Sequence, residues 1–148
     1  MSVRKARPDE AATLSALALQ SKAHWGYSAE ALVGWRLELT ITPEDILRHP
    51  TFVAETGERV VGFYMLHLDP LRAIEHLWVH PQSQRRGVGT LLIRHALAPD
   101  REGRGPLRVV SDPYAAGFYE HHGGVRTDSV SAPLPGLPER ILPVYEFS

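Results

Sequence analysis

Cysteine is absent from the chain, which excludes a disulfide scaffold, a thiolate zinc site and a cysteine nucleophile. No apolar run approaches the roughly 20 residues that cross a bilayer. The opening Met1-Ser-Val-Arg-Lys-Ala-Arg7 lacks the apolar stretch of a secretory signal, so the expected compartment is the cytosol, away from any membrane. Asparagine is also missing, and lysine is scarce, since 14 of the 16 basic residues are arginine. A charge excess is lacking too: the formal net charge is −1, not the strongly basic face that binds nucleic acid. What remains is globular in character, with 43% apolar and 22% charged residues, which excludes disorder and fibrous repeats. A chain of 148 residues buries about two thirds of its unfolded surface, enough for one core. With no internal repeat or long linker, residues 1–148 read as a single domain.

Spacing and turn chemistry predict the elements. Val3–Ala6 reads as a short edge strand. Pro8 with Asp9-Glu10 opens a helix that carries Leu14, Leu17 and Ala18 on one face as far as Lys22. His24-Trp-Gly-Tyr27 interrupts it. Ser28 caps a second helix with Leu32, Trp35 and Leu39 at helical spacing, and Thr42-Pro43-Glu44-Asp45 starts a third, short one in capping-box style. Thr51–Glu55, Val60–Leu68 and Leu71–Val79 are strand-like. Ile74 to Val79 has apolar residues on both parities, as a strand covered on two faces would. A helix follows from Gly87 to Leu97 with Val88, Leu91, Leu92 and Ala96 inward, then a polar loop over Arg101–Pro106. Leu107–Ser111 is a strand, Tyr114–His122 a short helix, and Val125–Ser129 and Ile141–Phe147 the last strands, separated by a proline-rich loop over Ala132–Pro138. The order is that of an α/β (α+β) domain with a mixed, mostly antiparallel sheet of six to seven strands flanked by helices.

The segment richest in chemistry is His80-Pro-Gln-Ser-Gln84-Arg85-Arg86-Gly87-Val88-Gly89-Thr90. It joins a strand to an amphipathic helix. Glycines at 87 and 89 let backbone amides approach a ligand, and the helix start adds unpaired N–H groups at the positive end of its dipole. Arg85 and Arg86 supply countercharge, so the segment can cradle a pyrophosphate. The same Gly-x-Gly also makes a plain strand-to-helix turn. Two common phosphate loops are excluded. A Walker A loop needs Gly-Lys-Ser/Thr where Gly89-Thr90-Leu91 stands, and a dinucleotide fingerprint needs a third glycine where Leu92 stands.

Gln84-x-x-Gly87-x-Gly89 after Pro81 resembles the acetyl-CoA-binding motif of the GNAT N-acetyltransferase superfamily. Leu77-Trp78-Val79-His80-Pro81 is similar to the strand end that precedes that motif. Asp112-x-x-Ala115-x-x-Phe118-Tyr119-x-x-x-Gly123 is similar to the second signature, with Asp112 where the family often has asparagine. The resemblance covers residues 50–148 well and the first fifty by helix pattern. It implies an acyl-CoA-dependent N-acyltransferase that moves an acetyl group from acetyl-CoA to a primary amine of a small molecule or peptide, by direct attack in a ternary complex. It also implies that the strand ending in Leu77-Trp78-Val79 splays from its neighbour near Ser111, so that the pantetheine arm fills the gap like an added strand. Leu77 and Val79 would then bond the arm through their backbones. Amides from Gln84, Arg85, Arg86, Gly87, Val88, Gly89 and Thr90 would hold the pyrophosphate, and the Val79 N–H would face the oxyanion. Family members are often monomers or homodimers.

Tyr119 matches the tyrosine that reprotonates the departing thiolate in this family. Reference values of ~10 for a phenol and ~8.5 for a thiol leave a small gap to cross, while a Phe-Tyr pair also packs helices. Glu75 shares strand parity with Leu77 and Val79 and is the candidate base, relaying through water; the alternative is an ordinary ion pair with a neighbour such as Arg72. Asp112 either contacts the pantetheine arm or caps the following helix. Trp25 and Tyr27 either wall the acceptor site, with the Pro133–Pro138 loop on its far side, or seal the first helix. Eight histidines do not make a metal site: His76 and His80 are ~13 Å apart along a strand, and the adjacent His121 and His122 diverge. Two other readings stand beside the enzyme: a non-catalytic acyl-CoA-binding module, and a nucleotide-binding domain using Gly87-Val-Gly89 for another phosphate.

Overall fold

A computed structural model describes residues 1–98 and 105–148; most of the polar loop expected over Arg101–Pro106 lies outside the described residues. Strands β1 (Ser2–Lys5), β2 (Thr51–Thr56), β3 (Arg59–His67), β4 (Ala73–Val79), β5 (Leu107–Val110), β6 (Val125–Ser131) and β7 (Ile141–Phe147) form a seven-stranded sheet in the order β1-β2-β3-β4-β5-β7-β6. Pairing is antiparallel for β1–β2, β2–β3, β5–β7 and β6–β7. It is parallel for β4–β5, through Ala73↔Arg108 and Ile74↔Val109 at the start of β4. Helices α1 (Ala11–His24), α2 (Ala29–Trp35), α3 (Pro43–Arg48), α4 (Val88–Leu97) and α5 (Ala116–His121) complete the mixed, mostly antiparallel architecture that the sequence predicts. The chain falls into two compact units, residues 1–66 with β4 from His76 through α4, and residues 67–75 with 105–148.

In the first unit, a 3-10 turn at Pro8–Glu10 leads into α1, whose Leu14, Leu17 and Ala18 are buried against Ile41, Ile46, Phe63 and Met65. Arg4 grips the Glu10 carboxylate with both terminal nitrogens, at 2.9 and 2.8 Å, and reaches Glu55 through Nε at 3.0 Å. One guanidinium thus ties β1 to β2 and to the root of α1. Ser28 caps α2 by accepting from the Ala31 amide at 3.1 Å. The helix is shorter than its apolar spacing predicts, because after Trp35 the backbone tightens into three-residue turns, with Arg36 N–H donating to Val33 and Thr40 N–H to Leu37. Leu39 is still buried, but from that turn. Thr42 and Asp45 form the expected capping box of α3.

Two expectations are corrected. The strand covered on both faces is β3, whose Val61–Leu66 are all buried; in β4 only Ile74 is, and Leu77–Val79 are half-buried. Successive β3 side chains alternate faces, and each face meets a helix: Phe63 and Met65 join the α1 core, while Tyr64 faces α4 and bonds His95 at 2.7 Å. In α4, Ile93 rather than Leu91 is buried beside Val88, Leu92 and Ala96. Gly62 explains how α4 lies so close. A Cβ there would stand 2.9 Å from Val88 Cγ1, 3.0 Å from Leu92 Cδ1 and 3.0 Å from the Trp78 carbonyl oxygen.

In the second unit, Leu107 and Val109 of β5, Val144, Tyr145 and Phe147 of β7 and Tyr119 of α5 are buried. Asp112 opens the turn before α5 by accepting from the Tyr114 amide at 2.9 Å. Gly123, at φ +95°, closes the helix. The next residue must also be glycine, since a Cβ on Gly124 would lie 2.9 Å from the Tyr119 oxygen and 3.0 Å from Phe147 Cζ. Strand β6 is exposed along its whole length. It protects its edge with a bulge between Arg126 and Asp128, and with the Asp128 carboxylate, which accepts from the Ser129 amide at 2.8 Å.

Two outcomes follow for urea denaturation. Gly62→Ala lowers stability by about 1–3 kcal/mol, because the backbone Trp78 oxygen leaves the new methyl nowhere to go. The Arg4 hydrogen bonds hold the Glu10 carboxyl below its ordinary value. A depressed carboxylate stabilises above its unfolded pKa, and that contribution is lost as pH falls through its folded value. The urea midpoint therefore drops as pH goes below about 4.3, and Glu10→Gln lowers the neutral midpoint while flattening this acid limb.

Candidate active site

The strand-to-helix segment is built around two left-handed residues. His80 donates its backbone N–H to the Val61 oxygen at 2.8 Å and accepts the Gln82 amide on Nδ1 at 3.2 Å, fixing a 3-10 turn over Pro81–Ser83. Gln84 is extended, Arg85 takes φ +64°, and Gly87 takes φ +81° as the N-cap of α4. Glycine adopts this region freely, whereas arginine is strained by about 1–2 kcal/mol. No side chain caps α4, and the first bond of the helix runs from Leu91 N–H to the Gly87 oxygen at 3.0 Å, leaving amides of the first turn ahead of it. Arg85, Arg86 and Gly87 are exposed, and Val88 is buried over Gly62. The result is an exposed, electropositive helix start on a buried anchor, which suits an anionic diester.

Leu77 and Val79 lie on the opposite parity of β4 from His76 and Trp78. Trp78 Nε1 donates to His76 Nδ1 at 3.1 Å, and the His76 ring packs 6.1 Å from Phe63. The structure also joins residues that the sequence assigns to different roles. Trp25 and Trp78 stand 5.9 Å apart, and Tyr27 meets Trp35 edge-on at 4.8 Å. Near both pairs lies the Lys22 ammonium, 4.2 Å from the Trp35 ring centre, 5.0 Å from Tyr27, 5.8 Å from Trp25 and 5.9 Å from Trp78. Sequence reasoning missed Lys22 and Trp35 here; the visible signal was a lysine one turn before Trp25, in a chain with two lysines.

Glu75 and Tyr119 belong to the second unit. The Glu75 carboxylate is half-exposed and lies 3.7 Å from His67 Nδ1, an ion-pair contact with a neighbour of the kind its alternative reading expects. Tyr119 is buried, with ring contacts to Phe118, Tyr145 and Phe147. Burial pushes its phenol well above the ordinary tyrosine value, because the charged phenolate is the form that burial disfavours. Asp112 explains its own charge. Besides capping, its Oδ2 lies 3.4 Å from the Arg140 guanidinium, with both side chains 7% exposed. Arg140 also donates to the Ala132 oxygen at 3.2 Å, so it fastens the proline-rich loop to the head of α5. Arg140 carries no advance signal in the sequence. Among the described residues, no group of three or more His, Cys, Asp or Glu could hold a metal ion, and no helix is long and apolar enough to cross a membrane.

Residues 48–123, just over half the chain, match the model of the acetyltransferase (GNAT) domain. The chain therefore belongs to the GNAT acetyltransferase family and is an acyl-CoA-dependent N-acetyltransferase by that membership. A GCN5-related N-acetyltransferase from Rhodopseudomonas palustris is 26% identical, with a TM-score of 0.81 over 99% of this chain and 94% of that one. The PaiA N-acetyltransferase from Thermoplasma acidophilum, solved in complex with coenzyme A, is 20% identical with a TM-score of 0.76, covering 98% of this chain and 96% of that one. A GNAT-family acetyltransferase from Streptococcus pneumoniae shares the fold at 16% identity and a TM-score of 0.73, over 99% of this chain and 98% of that one. No curated protein matches the chain.

Two substitutions probe the local geometry. Arg85→Gly relieves the left-handed strain and raises stability by about 1 kcal/mol, read as a higher melting temperature. Asp112→Asn keeps the cap but replaces the charge-assisted contact to Arg140 with a neutral one and costs about 1 kcal/mol, read as a lower urea midpoint.

Proposed function

We propose that this chain transfers an acetyl group from acetyl-CoA to a primary amine of a small molecule or peptide, by direct attack in a ternary complex, with residues 1–148 acting as one catalytic domain. The observation that carries this reading is the uncapped start of α4 behind left-handed Arg85 and Gly87. A pyrophosphate fits it. Backbone amides from Gln84 to Thr90 hold the phosphates, and Arg85 and Arg86 neutralise them. The backbone of Leu77, Trp78 and Val79 lies along the pantetheine arm and acetyl group, with the Val79 N–H stabilising the oxyanion. Asp112 serves the cofactor side indirectly, by holding the head of α5.

Glu75 takes the proton of the incoming amine through water, with His67 beside it. Tyr119 gives a proton to the leaving thiolate. Its raised value makes it a weak acid, so the phenol acts by holding its proton at the sulfur in a dry site and releasing it as charge develops. Trp25 and Tyr27 line the acceptor side. The same burial of Tyr119 favours a second reading, a CoA-binding module in which this ring only packs.

Calorimetry and kinetics separate the two. Gly89→Glu abolishes CoA binding while the fold still melts cooperatively; unchanged binding would remove the cradle from Gln84–Thr90. Tyr119→Phe lowers kcat by about 100-fold or more at an unchanged KM for acetyl-CoA if the phenol is the acid. CoA binding without turnover on any amine, and no effect of Tyr119→Phe, would establish the module.

A further inference from the structure

The four rings around Lys22 account for every tryptophan in the chain, Trp25, Trp35 and Trp78, together with Tyr27. They come from the end of α1, the connection after it, α2 and β4. An ammonium within about 6 Å of a ring centre is attracted by the ring's negative face. All four centres satisfy that limit, from 4.2 Å at Trp35 to 5.9 Å at Trp78. The rings pair as Trp25–Trp78 and Tyr27–Trp35, and the cation lies within 5.9 Å of all four ring centres. Four aromatic faces around a charge form a receptor for an organic cation, and its ligand is supplied by the chain itself.

We propose that Trp25, Tyr27, Trp35 and Trp78 form a cation-binding cage whose resident is Lys22, and that this resident charge sets the acceptor class. The second clause rests on the reading that Trp25 and Tyr27 line the acceptor side. A second cation arriving beside Lys22 meets like charge and finds the aromatic faces taken. The acceptors admitted are monoamines whose remainder is neutral or anionic, and diamines and polyamines are rejected. Lys22 acts as a specificity-determining residue that takes no part in acetyl transfer.

The tryptophan content makes the first test direct, because intrinsic tryptophan fluorescence reports on the cage alone. Tetramethylammonium chloride is titrated into wild type, Lys22→Ala and Lys22→Met, against sodium chloride at equal ionic strength. Melting curves establish that each variant is folded. Lys22→Ala vacates the cage and shows a saturable fluorescence change with tetramethylammonium. Wild type, filled by the ammonium, and Lys22→Met, filled without charge, show none. No saturable change in folded Lys22→Ala, or the same change in wild type, overturns the cage. The acceptor clause is read by thiol release with pentylamine against diaminopentane. Wild type prefers the monoamine, and Lys22→Ala narrows that preference by about tenfold, the scale of a desolvated cation–π contact. An unchanged preference overturns the acceptor clause. The fluorescence arm needs no CoA, so its failure is distinguishable from a failure of the acetyltransferase reading.

Discussion

Helix α4 lies on β3 because residue 62 has no side chain. With a Cβ at Gly62 held off by Val88, Leu92 and the Trp78 carbonyl, no larger residue lets the helix settle where it does. The helix start is where we propose that the pyrophosphate binds, so this contact fixes the height of the first-turn amides above the sheet. The Trp78 oxygen belongs to β4, which makes the same point a meeting place for β3, β4 and α4. The His80 amide bond to the Val61 oxygen, one residue before Gly62, fixes the other end of the connecting loop. Between these two anchors the chain passes through left-handed Arg85 and Gly87. Strain at Arg85 is held in place by packing on both sides of it.

Much of this was legible in the residues. Period-2 and period-3.6 patterns placed every strand and helix within a few residues, and the Ser28 and Thr42 caps were visible as sequence. The glycines at 87 and 89 marked the loop. The α2 boundary was not legible, since Leu39 keeps helical spacing and burial while the backbone has already become a turn. Nor was the doubly covered strand. Apolar parity alone favoured Ile74–Val79, but cover depends on which helices land where, and α1 and α4 both land on β3. Gly62 was passed over in the sequence, although a glycine inside an apolar strand is the signal of a close backbone approach.

Side-chain partnerships across long sequence separations were the least visible. Asp112 looked like a departure from the family pattern. Its partner, Arg140, lies 28 positions away beyond a proline-rich loop, and only the folded chain shows that the negative charge has a counterpart. A neutral amide at this position would cap the turn equally well but would exchange the charge-assisted contact to the guanidinium for a neutral one. The Lys22 cage is of the same kind. Trp35 had a sufficient explanation as a helix face, and Trp78 as part of a strand, so spacing gave no reason to bring them together around one cation.

The account depends most directly on the identity of the anion that the α4 cradle receives. Melting temperatures measured side by side with acetyl-CoA, CoA, ATP and NAD address this without knowledge of the acceptor. A ligand at a hundred times its dissociation constant adds about 2.7 kcal/mol, worth several degrees for a chain of this size. The account predicts a rise of that order with acetyl-CoA and with CoA, and none with ATP or NAD. No rise with either form of CoA, or an equal rise with ATP or NAD, would contradict it.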